Sequence, residues 1–401
     1  MKVAVIGGGA AGFFAAIRVK EVHPEADVTI FEKSKKILAK VKVSGGGRCN
    51  VTNSETNIKT LAQAYPRGEK FLRKAFGKFN TAHTIEWFES RGVPLVTQSD
   101  SCIFPESQDS QSVIDCFLMI ASKQDVKIEF STTIRSISEN DNSLTLTIGE
   151  DSHLFDKVIV ATGGSSKRSG LEWLESLGHS IIDPVPSLFT FNMPDEAITS
   201  LMGIVVENAL VSVQRTKLKS SGPLLITHWG MSGPAILILS AFGARILSER
   251  NYSCVAQVNW VGELNSELVK QEIEKIINDN PNKLVANYRP YALQDRLWQY
   301  FITKCEFPKD HRWSNLGRKG INKLVNCLTN DTYEVSGKTT FKEEFVTCGG
   351  ISLDDIDVKT MQSKVTPNLY FCGEVMDIDG ITGGYNFQAA WTTGYIAGEL
   401  G

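Results

Sequence analysis

Residues 2–12, KVAVIGGGAAG, and residues 28–32, VTIFE, decide the fold. Residues 3–6 form a short apolar run of strand type, and Gly7 to Gly12 spells G-x-G-x-x-G across Ala10 and Ala11. Residues 13–22 carry small and apolar packing positions at helical spacing, ended by His23-Pro24, and 28–31 is a second apolar strand. This is the front of a βαβ unit. In such a unit Gly7 permits the tight turn, Gly9 lets the backbone approach a pyrophosphate, and Gly12 allows helix and strand to pack closely. The helix N-terminus then faces the anion. Glu32, followed by Lys33, ends the second strand 20 residues beyond Gly12, where a carboxylate accepts from ribose hydroxyls. Strand, turn, helix and acid together specify a dinucleotide site. The glycine pattern alone would not.

Outward from this unit the α/β texture continues. Residues 71–79, 81–91 and 111–123 read as helices, 127–130, 134–139 and 144–148 as strands, and 157–161 as a buried strand running into Thr162-Gly163-Gly164. The texture changes at Asp183-Pro184-Val185-Pro186. Short strands then prevail to about residue 261, with one helix after Pro234. Helices follow at 266–278, opened by Ser266 and stopped at Asn280-Pro281, and near 293–304 and 320–328. A strand at 369–372 and a closing helix from about 386 to 400 restore the βα character. The economical division is a dinucleotide-binding α/β domain in two parts, 1–184 and 336–401, interrupted by a β-rich domain, 185–335, whose residues 264–330 are helical.

Composition narrows the function. Apolar residues at 42% and charged residues at 22% describe a folded protein, not a disordered one. A net charge of −3, with no basic cluster, speaks against nucleic acid and anionic membrane as partners. No uninterrupted apolar stretch is long enough to span a bilayer, and the glycine-broken start has no cleavage site of export type. The eight cysteines are scattered without a C-x-x-C pair, so neither disulfide framework nor metal ligand set is expected. A cytoplasmic setting follows.

Two further segments carry chemistry. Ser44-Gly45-Gly46-Gly47-Arg48-Cys49-Asn50 places three glycines together, a costly arrangement kept for close approach or positive φ, beside a fixed charge on Arg48. In the C-terminal segment Gly373-Glu374 follows a strand, and Gly383-Gly384-Tyr385-Asn386-Phe387-Gln388 opens the last helix. Glu374 is expected at the ribityl or phosphate region, and the helix N-terminus at the flavin's pyrimidine edge. His228, between strand residues and a glycine turn, is the candidate proton donor or acceptor, with Tyr385 the second.

Residues 7–12, 44–53 (SGGGRCNVTN), 227–234 (THWGMSGP), 346–350 (VTCGG), 360–364 (TMQSK) and 369–398 together resemble the FAD-dependent oxidoreductase family that includes aminoacetone oxidase and a bacterial 3-dehydro-bile-acid reductase. The likeness covers nearly the whole chain. It implies a glutathione-reductase-like Rossmann FAD domain, an α/β fold, with an inserted β-rich domain carrying a helical subdomain. It also implies that the backbone at Ile134 meets the adenine. The chain departs from the family at Leu38-Ala39-Lys40, where members carry Gly-Arg, and at residues 167–171, which are shortened. Both places flank the expected site, so the resemblance carries the cofactor and leaves the substrate open.

The expectation is therefore an FAD enzyme exchanging a hydride between flavin and a small organic substrate, by amine oxidation or by reduction of a conjugated double bond. Gly7, Gly9 and Gly12 would take the pyrophosphate and Glu32 the ribose. Residues 45–50 and 373–388 would surround the ribityl chain and ring, with Thr162 and Gly163 beside them. The insertion would cover the flavin and select substrate. No second G-x-G-x-x-G follows a strand, so NAD(P)H or oxygen would serve as a transient redox partner. The rivals are a nucleic-acid-modifying or nucleic-acid-binding flavoprotein and a flavin-bound sensor without turnover.

Overall fold

A computed structural model of the chain describes every residue except 263 and 340–345. Residues 340–345 of the expected C-terminal part, 336–401, thus lie outside the described residues. The chain divides into two compact units, one of residues 1–187 and 346–401, the other of residues 188–339.

The first unit is built on a five-stranded, wholly parallel sheet in the order 369–371, 157–160, 2–6, 27–31, 127–129. Its strands are Val/Ile-rich because helices cover the sheet. The first helix, Ala10–Val22, packs against the last, Tyr385–Ala397, at very short range. A Cβ on Gly394 would lie 2.8 Å from Ala11 O, and one on Gly398 would lie 2.6 Å from Ala15 O. Both ends of the sequence are thereby fixed together. Around this contact Phe14, Trp87, Phe88, Phe117 and Trp391 form an aromatic cluster, and Trp391 Nε1 donates to Val51 O at 2.9 Å. Each such ring pair contributes about 0.5–1.5 kcal/mol beyond burial.

The antiparallel strands Ile134–Asn140, Ser143–Ile148 and Asp151–Phe155 form a separate meander. Sequence periodicity had shown the first two but not the third, which is mostly exposed and lacks alternation. A small sheet of Thr52–Asn53, Cys102–Pro105 and Leu95–Thr97 was also not anticipated, since strands of two to four residues leave no periodic signature. Strands Ile181–Ser187 and Val346–Ile351 pair antiparallel where the chain leaves this unit and returns to it.

The second unit carries a seven-stranded sheet with antiparallel pairings, including the hairpin Val205–Val213 with Lys219–Thr227. Helix Pro234–Glu249 packs on that hairpin. Helices Ser266–Asp279, Asp295–Lys304 and Gly317–Thr329 enclose a second core around Trp260, Trp298 and Trp313. Asn265, not Ser266, caps the first of these, its side chain accepting Leu268 N–H at 2.9 Å. Ser266 instead hydrogen-bonds Thr329 across the helix pair at 2.9 Å. No helix among the described residues is long and apolar enough to cross a membrane.

Candidate cofactor site

The three glycines of the first turn have different work. Gly7 has φ +116°, its N–H donates to Phe31 O at 2.8 Å, and a Cβ there would lie 2.3 Å from Ala161 O. A Cβ on Gly12 would lie 2.0 Å from Gly7 O. Both are required by the fold itself. Gly9, at the N-cap of the first helix, has nothing within 4 Å of the Cβ position and no side chain capping the helix. Its emptiness exposes the N-terminal N–H groups to whatever approaches. Ala10 is half-buried there, while Ala11 points into the core and offers only its backbone.

Beside this turn Glu32 is half-buried, its Oε2 accepting Gly8 N–H at 2.9 Å and its Oε1 accepting Ser34 N–H at 2.8 Å. Lys33 is exposed next to it. Gly163, φ +74°, again has nothing within 4 Å of its Cβ position, and Thr162 is exposed. Ile134 opens the meander, half-buried opposite Ile148.

In the second motif the helix beginning at Ala39 breaks at Ser44, and Gly45, Gly46 and Gly47 follow with φ of +57°, +69° and +86°. A Cβ at Gly45 would meet Phe104 at 2.9 Å, whereas Gly46 and Gly47 face open space. Ser44 Oγ donates to Val41 O at 2.9 Å. Arg48 folds back on its own loop. Its Nε donates to Gly45 O at 3.2 Å, an Nη donates to Gln108 at 3.2 Å, and its guanidinium lies 4.1 Å from the Phe104 ring centre. Cys49 is fully buried, and burial pushes its thiol up to about 12.

The C-terminal motif meets the other two. With its amide oriented to satisfy both groups, Asn50 accepts Gly384 N–H at 3.0 Å, and Asn53 Nδ2 donates to Gly383 O at 3.1 Å. A Cβ on Gly384, φ +86°, would lie 2.4 Å from Thr52 O. A Cβ on Gly373 would lie 2.8 Å from Ala11 Cβ. Glu374 accepts Lys40 Nζ at 2.7 Å and Thr347 N–H at 2.9 Å, and a Cβ on Gly164 would lie 2.6 Å from its carboxylate. Thus Lys40 stands as the partner of Glu374 at one of the two places where the chain departs from the family.

Some expected residues present backbone rather than side chain. Gln388 is fully buried, its Oε1 accepting Thr52 and Thr84 hydroxyls and its Nε2 donating to Thr392. Asn386 closes a ring with Gly380, accepting its N–H and donating to its carbonyl. Phe387 stacks on Trp391 at 5.4 Å. Tyr385 is half-buried; burial, and then Cys102 and Glu55, hold its phenol above the usual range. His228 lies in the second unit, in the two-residue turn between Lys219–Thr227 and Gly230–Ser232. It is exposed, its ring set edge-on to Trp229 with centres 4.4 Å apart.

One cluster was not read from the sequence. Asp379 is wholly buried, Arg67 Nε donates to its Oδ1 at 2.5 Å, and Ser187 Oγ donates to its Oδ2 at 2.6 Å. Burial pushes its carboxyl up to about 6 against the opposing pull of Arg67. Its signal was available, because an acid inside the apolar run around Met376, Ile378 and Ile381 needs a buried partner. Ser187 ends the strand by which the chain leaves the first unit, so the cluster ties that strand to the loop before Gly383.

The arrangement fits a dinucleotide cofactor. At Gly9, Gly46, Gly47 and Gly163 a Cβ would meet nothing within 4 Å, and the motifs that carry the last three are joined through Lys40, Glu374 and Gly164.

The sequence profile of the family described as HI0933-like protein Rossmann domain matches residues 1–400. The 3-dehydro-bile acid delta(4,6)-reductase of Clostridium scindens is 27% identical over 415 residues, covering 99% of this chain and 98% of the relative. A ribosomal RNA dihydrouridine synthase of Haemophilus influenzae is 27% identical over 403 residues, covering 98% and 96%. Among solved structures, the 3-ketosteroid delta1-dehydrogenase of Sterolibacterium denitrificans superposes with a TM-score of 0.52 at 11% identity, covering 99% of this chain and 98% of that one. That likeness shows the fold.

Proposed function

The chain belongs to the HI0933-like Rossmann-domain family of FAD-dependent oxidoreductases, and from this premise we propose that it reduces a carbon–carbon double bond conjugated with a carbonyl group. The cofactor half of this reading is carried by the open space at Gly9, Gly46, Gly47 and Gly163. The direction is carried by the relatives, since delta(4,6)-reductase and dihydrouridine synthase both name the addition of two hydrogens across a double bond. Reduction is thereby favoured over amine oxidation.

When bound, FAD supplies hydride exchange at its ring, and the protein supplies position and electrostatics. The N-terminal N–H groups of helix Ala10–Val22 would bind the pyrophosphate, and Glu32, held in place by Gly8 and Ser34, would accept from the ribose. The positive-φ backbone of Gly45, Gly46 and Gly47 would admit the ribityl chain, with Glu374 oriented by Lys40 and Thr347. The N-terminus of helix Tyr385–Ala397, which lacks a side-chain cap, would offer its free N–H groups to an electron-rich edge of the ring. His228, an exposed side chain of the second unit, is our candidate for the group that would supply the proton accompanying the hydride. NAD(P)H docks transiently as reductant, and the eight free thiols suit a reducing, cytoplasmic setting.

The net charge of −3 does not exclude nucleic acid as a partner, since one relative is named for RNA modification. The test is direct. Photoreduced, FAD-loaded protein is mixed anaerobically with a metabolite extract or with total ribosomal RNA, and products are analysed by mass. Reoxidation of the flavin with a product two hydrogens heavier than its substrate supports the reading. Reoxidation by oxygen alone, with amines reducing the flavin, overturns it.

A further inference from the structure

The cysteines are scattered along the sequence, yet the second unit brings two of them together. Cys305 is the C-cap of helix Asp295–Lys304, and Cys327 lies near the end of helix Gly317–Thr329, which packs against it. Lys323 Nζ reaches from the second of these helices to the first and donates to Cys305 O at 3.1 Å. Cys327 follows Lys323 by four residues, so it stands on the same face of its helix. There the two thiols are hydrogen-bonded to each other. Both are buried, Cys305 3% and Cys327 6% exposed.

The charges that face the pair are few, and each is held in place. Asp331 accepts Lys304 Nζ at 2.5 Å on one oxygen, and Trp260 Nε1 at 3.1 Å and the Tyr333 hydroxyl on the other. Lys323 is also paired with Glu306 at 2.5 Å. The hydrogen bond from Cys327 holds the Cys305 thiol below its ordinary range, with Lys323 and Lys304 pulling the same way against burial and Asp331. The same bond, and then burial, pushes the Cys327 thiol up.

A buried cysteine is ordinarily a small apolar side chain. Two in mutual contact, with a lysine fixed beside one of them, have in addition the means to ionise and to join. A thiol of lowered pKa next to a second thiol is the arrangement of an attacking and a resolving cysteine.

We propose that Cys305 and Cys327 are a redox-active dithiol that hydrogen peroxide converts to a disulfide, latching helix Asp295–Lys304 to helix Gly317–Thr329. The Cys305 thiolate attacks one peroxide oxygen and the O–O bond breaks. The sulfur gives up two electrons to become a sulfenic acid, and the departing hydroxide leaves as water with the proton that the thiol had shed. The Cys327 sulfur then attacks that sulfur and forms the S–S bond, and the displaced hydroxide leaves with the Cys327 proton as a second water. Two thiols and one peroxide thus give one disulfide and two waters. The burial of the pair admits an oxidant close to water in size and shuts out a bulky disulfide. In a reducing setting such a bond is transient, a sensor rather than a staple.

The test reads the covalent product. The full-length, FAD-loaded chain, freed of reductant, is exposed to hydrogen peroxide, and its remaining thiols are alkylated with iodoacetamide in denaturant. Intact mass and tryptic peptides are then measured without reduction. The chain should lose two alkylation sites, and residues 305–309 (CEFPK) should emerge linked to residues 324–338 (LVNCLTNDTYEVSGK), a product that dithiothreitol abolishes. Cys327→Ser should stop at a sulfenic acid on Cys305, which dimedone traps, and Cys305→Ser should leave Cys327 a thiol. Circular dichroism checks the fold of both variants, and the linked peptide in the parent chain needs neither. Cys254 is the internal control, being half-buried where the other seven cysteines are buried. Oxidation of Cys254 while Cys305 and Cys327 are both recovered alkylated overturns the proposal. So does overoxidation of either without the linked peptide, or dimedone on Cys327 in Cys305→Ser.

Discussion

Glu32 Oε2 accepts the backbone N–H of Gly8 at 2.9 Å, across the gap between the second strand and the glycine turn. Its other oxygen holds Ser34 N–H at 2.8 Å. The carboxylate therefore braces the turn, and in the proposed cofactor site its remaining lone pairs are the ones that would accept from ribose hydroxyls. Glu32→Ala removes both functions. Its FAD affinity should fall by about 1–3 kcal/mol, roughly 5- to 150-fold. Titration of the apoprotein with FAD, followed by flavin fluorescence, reads this; unchanged affinity in a folded variant would sink the assignment.

The glycines separate fold from binding. At Gly12 an added Cβ meets Gly7 O at 2.0 Å, a backbone atom that cannot yield without moving the turn. Gly12→Ala should unfold the first unit or lower its stability by several kcal/mol, on the order of the largest core substitutions. At Gly9 the added Cβ meets nothing and φ is −96°. Gly9→Ala should keep the apoprotein's Tm within a few degrees, yet impede the pyrophosphate and lower FAD affinity at least tenfold. Equal thermal damage in both variants would contradict this division of roles.

Asp379 makes stability depend on pH in an unusual direction for an acid. Burial raises its folded pKa to about 6, above the ordinary 3.8. Between those values the folded state retains a proton that the unfolded state has lost, so stability falls as pH rises through that window. Each pH unit of separation is worth about 1.4 kcal/mol, which bounds the effect at about 3 kcal/mol. Urea unfolding from about pH 4 to about pH 7 should show this decline in the parent, and a flatter profile in Asp379→Asn. The same decline in both proteins would remove Asp379 as its cause.

His228 sits exposed in a hairpin turn, where its replacement leaves no cavity. His228→Ala should therefore change stability by no more than about 0.5 kcal/mol. FAD content should be normal, and substrate-driven reoxidation of the flavin should slow by about 10²–10⁴-fold if the imidazole moves the proton. Stopped-flow traces within a few fold of the parent would assign His228 to the turn alone.

Much of the first unit was legible because its signals are local. The G-x-G-x-x-G turn, Glu32 at the end of the next strand and the glycine run at 45–47 each announce a backbone demand within a few residues. What escaped is set by tertiary packing. Nothing in the sequence shows that Gln388 turns inward to Thr52 and Thr84, or that Lys40 finds Glu374. The two-residue strand Thr52–Asn53 is too short for periodicity, although it positions Asn50 beneath Gly384.

The central claim is that both ends of this chain form one FAD site, and the bound cofactor itself tests it most directly. The purified chain, reconstituted with FAD if it emerges colourless, is denatured and the released flavin is chromatographed and counted. The account predicts FAD at one per chain, with Gly9→Ala retaining markedly less. Release of FMN or NAD, or no cofactor after reconstitution of the folded chain, would contradict it.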